Sequence, residues 1–193
     1  MKWVLASGSP RRKQLLAELV GEFEIIPSQA EEDLIEYSSV KALVEQLATR
    51  KAHEVAFRPE NEGKIVIGSD TVVAFQGEAL GKPADEADAF RMLKMLSGKK
   101  HAVYTGVCFM KVKNDRMRWR VKTAKTWVYF NELSDEWIRG YIASGSPMDK
   151  AGAYGIQDGG LVKKIKGSYT NVVGFPLELV GKMIKKAEKK WND

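Results

Sequence analysis

The stretch Trp3-Val4-Leu5-Ala6-Ser7-Gly8-Ser9-Pro10-Arg11-Arg12 joins a short apolar run to the start of a helical pattern. The apolar run predicts a β-strand. Ser9 suits the N-cap of a helix, and Pro10 suits its first turn because no hydrogen bond there needs the missing N–H. The stretch therefore predicts a strand, a tight turn and a helix N-terminus, and we expect the rest of the chain to be organised around this unit.

A turn of this kind favours an anion. Backbone N–H groups and the positive end of the helix dipole point into it. Arg11 and Arg12 add planar donors that fit phosphate oxygens in pairs. The alternative is a capped surface helix with two solvated arginines, and both interpretations fit these residues taken alone.

The bulk properties indicate a globular cytoplasmic protein. The chain has 193 residues, which suits one domain over 1–193, or one domain with two lobes. The single cysteine, Cys108, lies in an apolar run and indicates a reducing compartment. The apolar stretch after Lys2 is too short for a signal peptide, and no run approaches the ~20 residues that span a bilayer. The net charge of +6 suits an anionic ligand without identifying it.

Apolar periodicity predicts helices and strands in a mixed order, which indicates an α/β or α+β fold with a mixed sheet. Beyond the opening strand, we expect strands over 23–26, 64–75, 101–112, 117–130 and 161–165. We expect helices over 10–20, from Ser38 or Ser39 to 57, over 84–97 and 134–144, and a last helix after Pro176.

Two charged residues interrupt apolar patterns. Lys51 lies on the apolar stripe of its helix, four residues from both Leu47 and Val55. Its side chain either snorkels to the edge or faces a partly enclosed polar site. Asp70 interrupts the most apolar predicted strand. An unpaired buried carboxylate is costly, so we expect Asp70 to be paired, metal-bound or exposed in a cleft.

Several chemistries are excluded by the residues present. The two histidines lack metal-ligand spacing, which argues against a structural zinc site. There is no Walker A motif, no strand-linked GxGxxG and no nucleophile elbow. What remains is a set of carboxylates that could hold a divalent ion and a set of cations that could neutralise a polyphosphate, as phosphoanhydride hydrolysis requires. The carboxylates are Glu31, Glu32, Asp70 and Asp149, and the cations are Arg11, Arg12, Lys51, Lys82 and Lys150.

A second hypothesis is a nucleic-acid-binding protein. The strand over 117–130 alternates, with Met117, Trp119 and Val121 predicted inward and Arg118, Arg120 and Lys122 outward. The lysines near the C-terminus occupy the polar face of the last helix, which is typical of a solvated surface. The basic strand has no interleaved aromatic residues, because its tryptophans fall on the opposite face from its arginines. We therefore do not expect nucleic acid as a partner.

Eight short segments in a fixed order carry a family resemblance. They are Ala6-Ser7-Gly8-Ser9-Pro10-Arg11-Arg12, Glu31-Glu32, Arg50-Lys51-Ala52, Gly68-Ser69-Asp70-Thr71-Val72, Gly81-Lys82-Pro83, Leu96-Ser97-Gly98, Thr105-Gly106-Val107 and Pro147-Met148-Asp149-Lys150-Ala151-Gly152-Ala153-Tyr154-Gly155-Ile156-Gln157. With these segments the chain resembles the Maf family of nucleoside triphosphate pyrophosphatases. Each segment is weak alone, but together they cover nearly the whole chain.

The resemblance implies a fold and an activity. The fold is a mixed, twisted sheet flanked by helices, with a cleft between two lobes, similar to inosine triphosphatases. The activity is hydrolysis of a nucleoside triphosphate to its monophosphate and pyrophosphate with a divalent metal, magnesium or manganese. The segment from Lys150 to Gln157 resembles the branch acting on dTTP and UTP, and modified pyrimidine nucleotides are further candidates. Family members often form homodimers. An alternative is a role in cell division without essential catalysis, for which we find no docking motif.

The resemblance also implies roles for individual residues. Asp70 matches the proton acceptor that activates water, and Glu32 and Asp70 are the expected metal ligands. The phosphate-binding positions are Ser7, Arg11, Arg12, Lys51 and Lys82, and the positions that bear on base selection are Arg12, Thr71 and Gln157. One departure affects the base assignment: after Gln157 the family usually continues with a longer glycine-containing stretch, whereas here Asp158-Gly159-Gly160 leads directly to Leu161.

Overall fold

A computed structural model, which describes residues 1–31 and 36–191, contains one mixed sheet with helices on both faces. The strands are β1 (Trp3–Leu5), β2 (Glu24–Ile25), β3 (Ile65–Phe75), β4 (Glu78–Leu80), β5 (Lys100–Lys113), β6 (Arg116–Phe130) and β7 (Val162–Lys166). The α-helices are α1 (Pro10–Ala17), α2 (Val40–Ala56), α3 (Glu86–Leu96), α4 (Asp135–Ala143), α5 (Tyr169–Val173) and α6 (Leu177–Lys190). Short 3₁₀ helices cover Pro59–Asn61, Ser146–Asp149, Ala151–Ala153 and Ile156–Asp158. The mixed α/β fold predicted from the sequence is confirmed.

The strand order leaves a gap beside the centre of β3. The order is β2-β1-β3-β5-β6-β7, with β4 added to β3. β1 lies parallel to residues 65–67 of β3, and β4 lies antiparallel to residues 73–75. Among the described residues, no strand pairs with 68–72 on that edge, while β5 pairs with the other edge. The middle of β3 is therefore unpaired along one edge.

The apolar core is divided at the same level. One face of β3 packs Ile65 and Ile67 against α1 and α6. Further along, the same face packs Val73 and Phe75 against α3 and α4. Helix α2 covers the opposite face of the sheet. The two apolar clusters on this face of β3 are therefore separated at the level of the unpaired residues 68–72. Within the described residues, no helix is both long and apolar enough to span a membrane.

The sequence pattern located most elements but missed two and misplaced some ends. α1 ends at Ala17 rather than Val20, and the chain continues in a tighter turn in which the Leu19 N–H donates to the Leu16 carbonyl at 2.9 Å. The missed elements are β4, with three residues, and α5, with five. Both are too short to show a period. α5 nevertheless carries helix boundary signals, because Ser168 caps its start and Gly174 ends it.

The inward orientation predicted for Met117 and Trp119 is wrong. These side chains are 39% and 54% exposed. Trp119 pairs with Met110 on the sheet face that α2 covers. Val121, two residues further along on that face, packs against the cluster that contains Ala48, Ala52 and Val55 of α2, whereas Trp119 is not part of this cluster. The first residues of β6 are therefore exposed on this face, although the alternation of the sequence predicts burial.

The basic side chains of this part of β6 face α6. The Arg118 Nη1 donates to the Lys190 carbonyl at 3.1 Å, and Lys111 Nζ of β5 donates to the Trp191 carbonyl at 2.7 Å. Cations are favourable at the C-terminal end of a helix dipole. These contacts tie α6 to the sheet. Val180, Met183, Ile184 and Ala187 of α6 are buried, and the lysines on its polar face are exposed, as the sequence predicted.

Candidate active site

A cavity of about 840 Å³ opens at the gap in the sheet. Its wall contains the turn before α1, the middle of β3, one side of α2 and three later loops. All the described residues to which the family resemblance assigns a site role line this cavity: Ser7, Arg11, Arg12, Lys51, Asp70, Thr71, Lys82 and Gln157. Asp149 and Lys150 line it as well, whereas Glu31 does not. The predicted metal ligand Glu32 lies outside the described residues.

The N-terminus of α1 is built as the opening stretch predicts. Pro10 is the first helical residue, and the Ser9 side chain accepts from the Arg12 N–H at 3.5 Å. The Ser7 Oγ lies beside the turn, where it accepts from the Ser9 N–H at 3.3 Å and from Arg12 Nη1 at 3.2 Å. The positive end of α1 and two arginines therefore face the cavity from one side.

Arg12 is a cross-link between three parts of the chain. Its Nε donates to the Gly174 carbonyl at 3.0 Å, and its Nη2 donates to the Thr71 Oγ1 at 3.3 Å. Thr71 in turn shares a hydrogen bond of 3.0 Å with Thr105 Oγ1. These bonds connect α1, the open section of β3 and the loop after α5. The sequence analysis missed Gly174, although the Ser168 cap and the following glycine mark the short helix that presents it.

Lys51 and Asp70 form an ion pair across the interface of α2 and β3. The Lys51 Nζ lies 2.5 Å from Asp70 Oδ1, and the side chains are 13% and 11% exposed. Gly68 makes this approach feasible, since a Cβ there would lie 2.2 Å from the Ala48 carbonyl oxygen. Asp70 follows two residues later on the same face of the strand, and Lys51 follows Ala48 by about one helical turn. Lys51 thus faces a partly enclosed polar site and does not snorkel.

A hydrogen-bond network holds the short helix that carries Gln157. The Tyr141 hydroxyl accepts from the Gly155 N–H at 3.0 Å and donates to Asp158 Oδ2 at 2.5 Å. The Ser146 Oγ donates to the same oxygen at 2.7 Å. Burial raises the pKa of Asp158, but the hydrogen bonds from Tyr141 and Ser146 outweigh it and leave this pKa below its ordinary value. The residues flanking Gln157 are therefore fixed on both sides.

A surface ion pair spans the mouth of the cavity. Arg11 Nη1 lies 3.4 Å from Asp149 Oδ2, and Lys150 Nζ donates to Asp149 Oδ1 at 2.8 Å. Burial raises the pKa of Asp149, but the hydrogen bonds and charges of Lys150 and Arg11 outweigh burial, so this pKa lies below its ordinary value. Asp149 is 63% exposed, and pairs this exposed contribute little to stability. A phosphate group can replace this partner of Arg11 at low cost.

The cavity has few carboxylates for a metal. Within 1–31 and 36–191, no group of three or more His, Cys, Asp or Glu side chains converges. Asp70 and Asp149 are the carboxylates that line the cavity. Asp70 Oδ1 accepts from Lys51, and no described residue donates to its Oδ2. Magnesium is typically held by one or two carboxylates together with substrate phosphates and water. The donor set fits a metal bound jointly with a nucleotide.

The fold is similar to that of a solved structure. The Staphylococcus aureus Ham1 protein superimposes with a TM-score of 0.56, covering 96% of this chain and 99% of that one, at 14% sequence identity. At this identity the similarity shows the fold, a mixed sheet with a central cleft, and nothing further.

The sequence comparisons identify the family. The profile of the family described as Maf-like protein matches residues 2–187. A protein of Ruminiclostridium cellulolyticum, named dTTP/UTP pyrophosphatase, is 46% identical over 190 residues, covering 97% of this chain and 96% of its own length. A protein of the same name from Thermococcus onnurineus is 48% identical over 182 residues, covering 93% and 95%. The chain belongs to the Maf-like family.

Proposed function

We infer that the chain is a nucleoside triphosphate pyrophosphatase that hydrolyses dTTP and UTP to the monophosphate and pyrophosphate. The observation that carries this inference is the Lys51–Asp70 pair, which places a largely buried carboxylate in a cavity that is also lined by several cations and a helix N-terminus. The names of relatives with nearly half of their residues identical support the reaction and the pyrimidine substrates.

The triphosphate would bind along the cationic side of the cavity. The N–H groups at the start of α1 and the Ser7 hydroxyl supply hydrogen-bond donors, and Arg11 and Lys82 supply charge. Arg11 exchanges its exposed contact with Asp149 for a phosphate oxygen. Lys82 is exposed on the loop after β4, from where its ammonium group can contact the terminal phosphates.

The chemical step assigned to this chain is proton removal from the attacking water. The water attacks the α-phosphorus, its proton passes to Asp70 Oδ2, and pyrophosphate departs with the electron pair of the broken P–O bond. Lys51 holds the other oxygen of Asp70 and so fixes the orientation of the base. When bound, a magnesium or manganese ion supplies neutralisation of phosphate charge and a water of lowered pKa. Asp70 would hold that ion together with Glu32, which lies outside the described residues.

Base selection is assigned to the side of the cavity opposite α2. Thr71 and Arg12 are held together there by their hydrogen bond, and Gln157 approaches on its short helix. An amide offers both a donor and an acceptor, which matches the paired carbonyl and N–H edge of thymine and uracil.

A panel of nucleotides tests the proposal. Purified protein is incubated with dTTP, UTP, 5-methyl-UTP, dCTP and dGTP in magnesium or manganese, and monophosphate and pyrophosphate are measured separately. We expect equal amounts of the two products from dTTP and UTP and slower turnover of dGTP. Release of inorganic phosphate would instead place the attack on the terminal phosphorus. Equal turnover of dGTP would contradict the assignment of the base.

The homodimer and the cytoplasmic location stay predictions. The cell-division alternative has a direct genetic test, which is rescue of a division defect by an inactive Asp70→Asn variant. Rescue would show that the partner role does not need catalysis.

A further inference from the structure

A second cluster of cations lies outside the cavity, on the α2 side of the sheet. The register of β5, β6 and β7 projects three aromatic rings and three lysines from one side of these strands. The lysines are exposed and the rings are partly exposed. We call this set the basic–aromatic face, and it consists of Tyr104, Trp127, Tyr129, Lys100, Lys125 and Lys164.

Each lysine of the basic–aromatic face lies over a ring. The ammonium groups of Lys100 and Lys125 are 4.3 and 4.1 Å from the centroid of Trp127. Lys164 lies 4.8 Å from the ring of Tyr129. Lys125 is also 5.2 Å from the ring of Tyr104. Rings and cations are thus interleaved across three strands.

Among the residues that the structure describes, no carboxylate forms an ion pair with the lysines of this face. Because both ammonium groups lie close to one ring, Lys100 Nζ and Lys125 Nζ are within about 8 Å of each other. That is no more than the screening distance at physiological salt, so the two charges repel. An anion placed between them would relieve the repulsion.

The spacing of the rings indicates which anion. Trp127 and Tyr129 are two residues apart on one strand, which separates them by about 7 Å. Tyr104 lies diagonally across from Trp127, at roughly 7–8 Å. Rings and lysines that share one face of a sheet allow unpaired bases to stack on the rings while the lysines turn to contact phosphates. A duplex does not expose the faces of its bases. We propose that the basic–aromatic face binds single-stranded nucleic acid.

This surface is distinct from the two cationic regions described above. None of its six residues lines the cavity. It also uses the other half of β6 from Arg118, whose side chain contacts the end of α6. The proposal therefore stands independently of the pyrophosphatase activity, and each can fail without the other.

Fluorescence anisotropy with the whole protein tests the proposal. The probe is a labelled oligodeoxyadenylate of about 12 nucleotides, within the range of known single-strand sites, and adenine avoids the pyrimidines proposed for the cavity. It is titrated at about 50 and about 200 mM KCl. Replacing two lysines, Lys100→Gln/Lys125→Gln, should reduce the slope of log affinity against log salt by about 1.4, since each lost phosphate contact on a single strand contributes about 0.7. Tyr129→Leu should weaken binding at least about fivefold through lost stacking.

A matched control removes the same charge elsewhere. Lys185→Gln/Lys189→Gln lowers the net charge equally on the exposed side of α6, and it should leave the affinity within about twofold if binding is local. Pyrophosphate release by Lys100→Gln/Lys125→Gln should match the wild type. The proposal is overturned by equal weakening in the control, by equal affinity for a duplex, by displacement of the probe with dTTP, or by the absence of binding up to about 100 µM protein.

Discussion

The cavity and the basic–aromatic face both concentrate cations, but they hold them in different ways. In the cavity, Lys51 forms an ion pair with a carboxylate, and Arg12 donates hydrogen bonds to two hydroxyls and a carbonyl. On the basic–aromatic face, Lys100 and Lys125 lie over an indole ring. The first kind of contact is directional and short. The second is broad in its geometry and weak at an exposed site.

This difference teaches what each surface can do. Catalysis needs reacting groups fixed to a fraction of an ångström, which oxygen acceptors on packed strands provide. Binding an extended polymer needs side chains that move to meet successive phosphates, which lysines on rings allow. Charge alone therefore does not distinguish a catalytic site from a docking surface, but the partners of the charges do.

The largest expected effect is on catalysis. Asp70→Asn keeps an oxygen that accepts from Lys51, so we expect the fold and nucleotide binding to be retained. Loss of the general base should reduce pyrophosphate release by about 10³-fold. Binding of the single-stranded probe should not change. Turnover of dTTP at the wild-type rate would show that Asp70 is not the base.

The next largest expected effect is on the free energy of unfolding, and it should differ between Lys51 and Lys125. Lys51→Met leaves the Asp70 carboxylate buried without its cation, and we expect a loss of about 3 kcal/mol in urea unfolding. Lys125→Met on the basic–aromatic face should cost less than about 1 kcal/mol. Adding Asp70→Asn to Lys51→Met should recover much of the loss, because no unpaired charge remains. Equal costs for the two lysines would contradict the comparison.

The buried His101 of β5 should make the stability of the protein depend on pH. His101 is buried one position after Lys100, with its Nε2 2.8 Å from the Tyr154 hydroxyl. Burial lowers the pKa of His101 from 6.5 to about 4. Between these two pKa values, His101 therefore binds a proton in the unfolded chain but not in the folded chain. Stability present above pH 6.5 should fall by up to about 3 kcal/mol as the pH drops to about 4.

His101→Gln provides the control for this pH effect. The difference in unfolding free energy between the variant and the wild type should change across that pH range, which subtracts the carboxylates that titrate in both proteins. A constant difference from pH 7 to pH 4 would show that His101 is not responsible. His101 lies on the opposite face of β5 from Lys100, so binding of the probe should not follow the same curve.

The smallest expected effect concerns the support of Gln157. Tyr141→Phe removes the acceptor of the Gly155 N–H and a donor to Asp158. We expect kcat/KM for dTTP to fall about tenfold, the equivalent of one hydrogen bond to a charged group, with a smaller loss for dGTP. In a Gln157→Ala background the same substitution should have little effect. An undiminished loss there would show that Tyr141 does not act through Gln157.

Much of the site could be predicted because its residues break local rules. Lys51 on an apolar stripe and Asp70 inside an apolar strand are costly unless each has a partner, and the structure pairs them. The turn before α1 was recognisable from Ser9 and Pro10, whose preferences are local. Each of these signals depends on neighbours within one helical turn or one strand.

Other features had no local signal. Trp119 follows a regular alternation and is nevertheless exposed, because burial depends on where α2 ends over the sheet. The contact of Arg12 with Gly174 joins residues 162 positions apart. Lys100 comes from the neighbouring strand β5, so its position over the Trp127 ring depends on the register of β5 and β6.

The amino-acid sequence by itself determined the order of the elements, the helix caps and the family, since these follow from short-range periodicity and from segments in a fixed order. Only the tertiary structure decided which charges meet. The gap beside β3 exists because β1 and β4 pair with different ends of that strand, and the approach of α2 depends on the missing side chain of Gly68. Such pairings depend on distances between chain segments far apart in sequence, which propensities do not encode.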